Sequence, residues 1–171
     1  MYHHVSPSPG LVTVSPATFH AQMAWLAKHN YRSIGTDDLA AFLNGKPLPE
    51  KSVMITFDDG YLDNYLYAHP VLQAFGLKAV LFIITGWLGE GEPRHLPRHL
   101  PHHHSRKVGA GETAYHPPLT PSHRTCMEKI AAGQADEVML RWSEVAEMKA
   151  AGSFEFHSHT HTHQRWDRLI G

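Results

Sequence analysis

The chain has 171 residues, of which 42% are hydrophobic and 18% are charged, and its formal net charge is −1. A chain of this length can form one domain with a buried core, but not two domains of ordinary size. The near-neutral charge argues against a general polyanion binder such as a nucleic-acid-binding protein. The single cysteine, Cys126, excludes an internal disulfide and a cysteine-based metal site.

No stretch of the sequence approaches the ~20 apolar residues that a membrane-spanning helix needs. The first residues, 1–5, lack the basic and apolar regions of a signal peptide. We therefore predict a chain without a transmembrane segment, and a cytoplasmic location is the default expectation.

The first part of the chain is predicted to alternate short strands and helices. Ser15 followed by Pro16 is typical of a helix start, with Ser15 as the N-cap and proline at the first helical position. The predicted elements are strands at 1–5, 32–34 and 52–57 and helices at 16–30 and 37–43.

The remaining regular elements follow the same pattern. A helix is predicted at 63–75, with a kink or a break at Pro70. The unbroken apolar run within 78–85 is typical of a parallel strand that is covered on both faces. Ser143 is predicted to cap a helix that ends at Gly152, and a last strand is predicted at 154–157.

Residues 86–135 are rich in glycine, proline and histidine over much of their length and are predicted to form an irregular insertion, with a weak helix signal at 124–132. Within it, the sequence Arg-His-Leu-Pro at 94–97 is repeated at 98–101 and is followed by three histidines, His102, His103 and His104. Such a tract predicts a flexible surface loop, with adventitious metal binding as the alternative.

Two carboxylates lie where a buried strand is predicted to end, in the motif Thr56-Phe57-Asp58-Asp59-Gly60. Adjacent strand residues point to opposite faces, so both carboxylates can serve one site only if the chain turns, which Gly60 permits. The alternative is a strand-to-helix turn in which aspartate caps the next helix.

Alternating histidines follow the last predicted strand. His159 and His163 are four residues apart, so a helical turn could bring both imidazoles to one ion at about 2.0–2.1 Å. His157 and His161 have the same spacing, and spacing alone does not choose between the pairs. Two histidines with one carboxylate leave coordination positions open, as in hydrolytic zinc enzymes. The alternative is a solvated strand end that binds no metal.

The Asp58-Asp59 motif and the sequence His159-Thr160-His161-Thr162-His163 together resemble the polysaccharide deacetylase family of metal-dependent carbohydrate esterases. The resemblance covers most of the chain outside 86–135. It implies an α/β fold, a partial distorted (β/α) barrel, as a single domain over 1–171 that is truncated on its C-terminal side. The family's later motifs, which include a histidine acting as acid, do not follow before Gly171.

The resemblance also implies roles for individual residues. Asp58 would be the general base, and Asp59, His159 and His163 would bind a divalent metal ion, with zinc expected and cobalt or nickel as alternatives. The implied reaction is hydrolysis of the acetamide of an N-acetylated oligo- or polysaccharide, for which no catalytic acid is identified. A non-catalytic metal- or glycan-binding remnant and a hydrolase of a non-sugar amide are the alternative functions.

An interrupted barrel would also leave surface that later elements normally cover. The last predicted strand, 154–157, would present an unpaired edge, and Val80, Phe82 and Ile84 would be exposed. We therefore expect marginal stability and self-association through this edge.

Overall fold

The computed structural model describes residues 1–96 and 119–164. Within these ranges the α-helices are α1 (Pro16–Lys28), α2 (Thr36–Leu43), α3 (His69–Ala74), α4 (His123–Ala131) and α5 (Trp142–Ala150). The strands are β1 (His4–Val5), β2 (Thr13–Val14), β3 (Arg32–Ser33), β4 (Ser52–Val53), β5 (Thr56–Asp59), β6 (Ala79–Ile83) and β7 (Phe154–Ser158). None of the helices in the described part of the chain is long and apolar enough to cross a membrane.

The strands form three small parallel sheets, β1–β2, β3–β4 and β5–β6–β7, with β6 in the centre of the largest. The described residues do not close into a barrel. The start of the chain also lies beside β5, because Tyr2 forms a parallel bridge with Phe57. There the amide of Tyr2 donates to the Thr56 carbonyl at 2.8 Å, and the amide of Asp58 donates to the Tyr2 carbonyl at 3.0 Å.

One face of the largest sheet forms the core together with helices α1 and α3. Phe57 and Leu81 on the strands are fully buried, as are Phe19 of α1 and Leu72 of α3. Truncation of such a buried leucine to alanine typically costs about 2–5 kcal/mol. This packing positions the carboxyl ends of β5, β6 and β7 at one edge of the sheet.

Several local predictions are confirmed. The Ser15 hydroxyl accepts a hydrogen bond from the Thr18 amide at 3.1 Å, and α1 begins at Pro16. The predicted 63–75 helix breaks into a π-helical turn, Asn64–Ala68, and the helix α3. The break lies beside Pro70, which has no N–H to donate within the helix.

The predicted continuous strand at 52–57 is wrong, because the chain changes sheets within it. The Val53 carbonyl accepts from the Ile34 amide, whereas the Ile55 carbonyl accepts from the Val80 amide. β4 and β5 are therefore separate strands with different neighbours.

The predicted cap of the last helix is also wrong. α5 begins at Trp142, and the Glu144 carboxylate accepts a hydrogen bond from the Arg141 amide at 2.9 Å. The Ser143 hydroxyl lies inside the helix and donates instead to the Gly91 carbonyl at 2.7 Å. A glutamate reaching back to the helix start therefore replaces the expected serine cap.

Three residues, Val80, Phe82 and Ile84, were expected to be exposed, and for two of them this expectation is wrong. Val80 and Ile84 are both 0% exposed, whereas Phe82 is half-buried. The described elements therefore already cover most of this strand.

Within the predicted insertion 86–135, the helix signal at 124–132 is confirmed by α4, and a 3₁₀ turn, Ala135–Glu137, begins at its end. Its histidine tract, His102 to His104, lies outside the described residues.

Candidate metal centre and active site

The two adjacent aspartates lie at the carboxyl end of β5, where the backbone turns. Asp58 has a strand conformation, whereas Asp59 has a φ of 74° and Gly60 a φ of 89°. The turn thus begins at Asp59, one residue earlier than predicted. Asp59 is 4% exposed and Asp58 is half-buried. A left-handed aspartate is uncommon, and such residues concentrate at functional sites.

The histidine-rich loop begins where β7 ends. The His159 amide donates to the Ile83 carbonyl at 2.7 Å, which places His159 beside the end of β6. Thr160 and His163 both have left-handed φ values, 70° and 56°, and the His163 amide donates to the Thr160 hydroxyl at 3.0 Å. This tight turn directs His159 and His163 to the same place.

Asp59, His159 and His163 come together as a group that could hold a metal ion. The Asp59 Oδ1 atom lies 3.7 Å from His159 Nε2 and 3.8 Å from His163 Nε2, and the three ligand atoms lie within 4.8 Å of one another. These separations are too long for hydrogen bonds. They suit atoms that each bind one ion at about 2.0–2.2 Å.

The hydrogen bonding of Asp59 supports the same interpretation. Its Oδ1 atom is buried and has no hydrogen-bond partner among the described residues. An unsatisfied buried acceptor costs about 1–3 kcal/mol, and more when it is charged. A cation between Asp59 and the two imidazoles would satisfy this oxygen, so the donor set fits a divalent metal ion.

The other pair of histidines has different partners. His157 Nε2 lies 2.7 Å from Glu155 Oε1 and also contacts the Thr36 hydroxyl. Burial raises the pKa of Glu155, but the hydrogen bonds from Thr36 and His157 outweigh it and lower this pKa overall. The His161 Nδ1 atom lies 3.0 Å from the Thr85 hydroxyl. The tertiary structure therefore groups His159 and His163, not His157 and His161, with the carboxylate.

His3 is a site residue that the sequence analysis did not identify. Because Tyr2 pairs with Phe57, His3 lies next to Asp58 on the same face, with Nε2 3.9 Å from Asp58 Oδ2. Their side chains are 21% and 15% exposed, so both reach solvent at the site. Only the pairing of the chain start with β5 reveals this neighbour.

A second buried polar group lies behind the site and includes His123 from α4. His4 Nδ1 lies 2.6 Å from Asp63 Oδ2, its Nε2 lies 3.2 Å from His123 Nδ1, and its ring stacks on Tyr61 at 3.7 Å. Burial and the neighbouring His4 lower the pKa of His123. Burial and the charge of Asp59 raise the pKa of Tyr61. Part of the predicted irregular insertion therefore helps to form the wall of the site.

Enzymes with a parallel α/β fold place their active sites at the carboxyl ends of the strands. The carboxylate–imidazole cluster of this chain lies at that position. The family model described as polysaccharide deacetylase matches residues 45–169. The chain belongs to the polysaccharide deacetylase family.

Curated relatives match over about half of the chain. YxkH of Bacillus subtilis (strain 168), which carries the name of a polysaccharide deacetylase, is 41% identical over 90 residues, or 52% of this chain and 32% of YxkH. Poly-beta-1,6-N-acetyl-D-glucosamine N-deacetylase of Escherichia coli (strain K12) is 38% identical over 78 residues, or 45% of this chain and 12% of that protein. The matched segment is therefore a third or less of these relatives.

A solved structure has a similar fold over nearly the whole chain. The Streptococcus pyogenes deacetylase PplD, in complex with acetate, superposes with a TM-score of 0.62 at 24% identity. The match covers 96% of this chain and 56% of PplD. At this identity the likeness shows the fold, and the chain spans a little over half of the larger structure.

Proposed function

We propose that the chain carries the metal-binding part of an N-deacetylase that hydrolyses the acetamide of N-acetylated sugars in a polysaccharide. The observation that carries the proposal is the convergence of Asp59, His159 and His163 next to Asp58, which in turn lies beside His3. The named substrate of the E. coli relative, poly-beta-1,6-N-acetyl-D-glucosamine, supports this substrate class. We further propose that the small parallel sheets belong to a distorted (β/α) barrel.

The donor set is suited to a divalent ion of borderline softness. One carboxylate and two imidazoles favour zinc, with cobalt or nickel as alternatives. When bound, such an ion would supply Lewis acidity, which lowers the pKa of water and polarises an amide carbonyl. Asp59, His159 and His163 would hold it and leave its remaining coordination positions for water and substrate.

Asp58 would act as the general base. Its carboxylate is part-exposed at the strand end and directly precedes Asp59, where the turn begins, so it can reach a water molecule that attacks the acetamide carbon. The water proton passes to Asp58 as the new C–O bond forms. Asp59 would bind the cation through its carboxylate and would therefore be a poor base.

His3 would act as the proton donor to the leaving group. An imidazole can carry a proton near neutral pH, and His3 faces the same side of the site as Asp58. When the C–N bond breaks, the nitrogen takes the His3 proton and leaves as a free amine, while the acyl group leaves as acetate.

Acetate release tests the proposal. Purified protein, stripped with a chelator and reloaded with zinc, should release acetate from oligomers of β-1,6-linked N-acetylglucosamine, and Asp58→Asn should slow the release by about 10²–10⁴-fold. Zinc and oligomer binding without release by the wild type would contradict the catalytic proposal and favour a non-catalytic binding role.

Self-association is a separate proposal that rests on β7. Within the described residues this strand pairs with β6 alone, so its other edge is open to a second chain. Size-exclusion chromatography should show an apparent mass that rises with protein concentration. A constant monomer mass at all concentrations would contradict it.

A further inference from the structure

The metal-binding loop, residues 159–163, lies directly against the turn that follows β6. Beyond the contact of His159 with Ile83, the Thr85 amide donates to the Thr160 carbonyl at 3.2 Å. The Gly86 amide donates to the His161 carbonyl at 2.9 Å. The loop that carries both histidine ligands is thus bonded along its backbone to residues 83–86.

Gly86 permits this close approach because it has no side chain. A Cβ atom built on Gly86 would lie 2.4 Å from the His161 carbonyl oxygen and 3.0 Å from the His161 ring. Real Cβ atoms do not approach a backbone oxygen so closely, so the loop would have to move. The requirement is for space, because the φ of Gly86 is outside the left-handed region.

The side chains on either side of Gly86 hold the same loop. The Thr85 hydroxyl lies 3.0 Å from His161 Nδ1, which fixes the residue midway between the two ligands. The Trp87 ring meets the His163 ring edge-to-face, with centroids 5.4 Å apart and an interplanar angle of 79°. Trp87 is itself packed against the cluster of Tyr61, Cys126 and Met139, so it offers His163 a fixed surface.

The loop needs such support because its own backbone is strained. Thr160 and His163 both adopt left-handed φ values, which β-branched residues such as threonine rarely adopt. Strained conformations persist only where surrounding contacts impose them. Here the contacts come from residues 83–87.

We propose that Thr85, Gly86 and Trp87 are positioning residues that set the geometry of His159 and His163 and thereby the affinity for the metal ion. This inference rests on the proposed metal site. Residues that orient metal ligands typically change metal affinity by about 10- to 100-fold when they are replaced.

The first test compares Gly86→Ala with Gly10→Ala in zinc titrations against a competing chelator. Gly10 is a matched control, since its added Cβ would lie 3.4 Å from the nearest atom and its φ is also not left-handed. Gly10→Ala should bind zinc like the wild type, whereas Gly86→Ala should bind at least about tenfold more weakly. The melting temperatures of the two metal-free variants should agree, because residue 86 is exposed and outside the core.

A second variant keeps the proposal testable if Gly86→Ala does not fold. Thr85→Val preserves shape but removes the hydroxyl beside His161, and it should weaken zinc binding about fivefold. The proposal would be overturned if Gly86→Ala and Gly10→Ala bound zinc with equal affinity. If Gly86→Ala is unfolded, equal zinc affinity of Thr85→Val and the wild type would overturn it. If the wild type and Asp59→Ala bind zinc equally weakly, the proposed metal site itself is wrong. This outcome is distinct from failure of the positioning proposal, in which the wild type still binds zinc more tightly than Asp59→Ala.

Discussion

The imidazole of His3 and the carboxylate of Asp58 lie side by side at one edge of the sheet, with Nε2 3.9 Å from Oδ2, although they come from separate segments of the chain. The pairing of Tyr2 with Phe57 creates this relationship. It places an imidazole next to Asp58, which directly precedes Asp59 of the cluster formed by Asp59, His159 and His163. Each part of this arrangement can be tested separately.

The two adjacent aspartates should respond differently to replacement. Asp59→Ala removes a proposed ligand atom, so zinc affinity should fall by more than about 100-fold, beyond the loss typical of supporting residues. Asp58→Asn should leave zinc affinity within about threefold of wild type but slow acetate release by about 10²–10⁴-fold. Calorimetric zinc titration and an acetate assay measure the two effects. Equal zinc loss in both variants would show that the roles are misassigned.

His3→Gln should lower the rate of acetate release by about 100-fold or more and leave zinc affinity unchanged, because His3 contacts the base and not the ligand cluster. His29→Gln is a suitable control, because His29 is stacked on Trp25 at the surface. A His3→Gln enzyme with an unchanged rate would exclude His3 as the proton donor.

Arg94 should be important for the stability of the fold. It forms a bidentate pair with the fully buried Glu144, at 2.7 and 2.8 Å, and donates to the Met139 carbonyl at 2.6 Å. Arg94→Met leaves a buried carboxylate without its cation, so the free energy of unfolding should fall by about 3 kcal/mol.

The matched control for Arg94 is Arg124→Met, which breaks an exposed pair with Glu128. Such a pair contributes about 0.3–0.5 kcal/mol. Urea denaturation of both variants gives the comparison. Similar small losses would mean that the Arg94–Glu144 pair does not stabilise the fold.

His69 should make the stability pH-dependent. Burial lowers the pKa of His69 in the folded state below its ordinary value of about 6.5. Folding therefore favours the neutral form of His69. The contribution of His69 to the free energy of unfolding is fully present above about pH 6.5, and it declines as the pH falls toward the lower, folded-state pKa. The ring also bonds the Ser153 hydroxyl at 2.6 Å.

His69→Asn keeps a polar atom near Ser153 but does not titrate. The free energy of unfolding should therefore fall less between pH 7.5 and pH 5 in this variant than in the wild type. Urea denaturation at the two pH values measures the difference. Equal losses in both proteins would assign the pH dependence to other histidines.

Local patterns in the sequence were sufficient to predict much of this protein. The Ser15-Pro16 helix start, the break near Pro70 and the apolar strand β6 follow from backbone sterics and hydrophobic periodicity, which act over a few residues. The Asp58-Asp59 motif and the histidine motif were likewise recognisable, and they led to the family that the match of the family model to residues 45–169 confirms.

Only the tertiary structure decided which distant groups meet. The spacing of the histidines was compatible with two pairs, and the contacts of His157 with Glu155 and of His161 with Thr85 separate them. The place of His3 beside Asp58 depends on a pairing between segments that no local pattern encodes. The same is true of the burial of Val80 and Ile84, because burial is set by packing between elements, whereas helix starts and strand periodicity are set by neighbours in the chain.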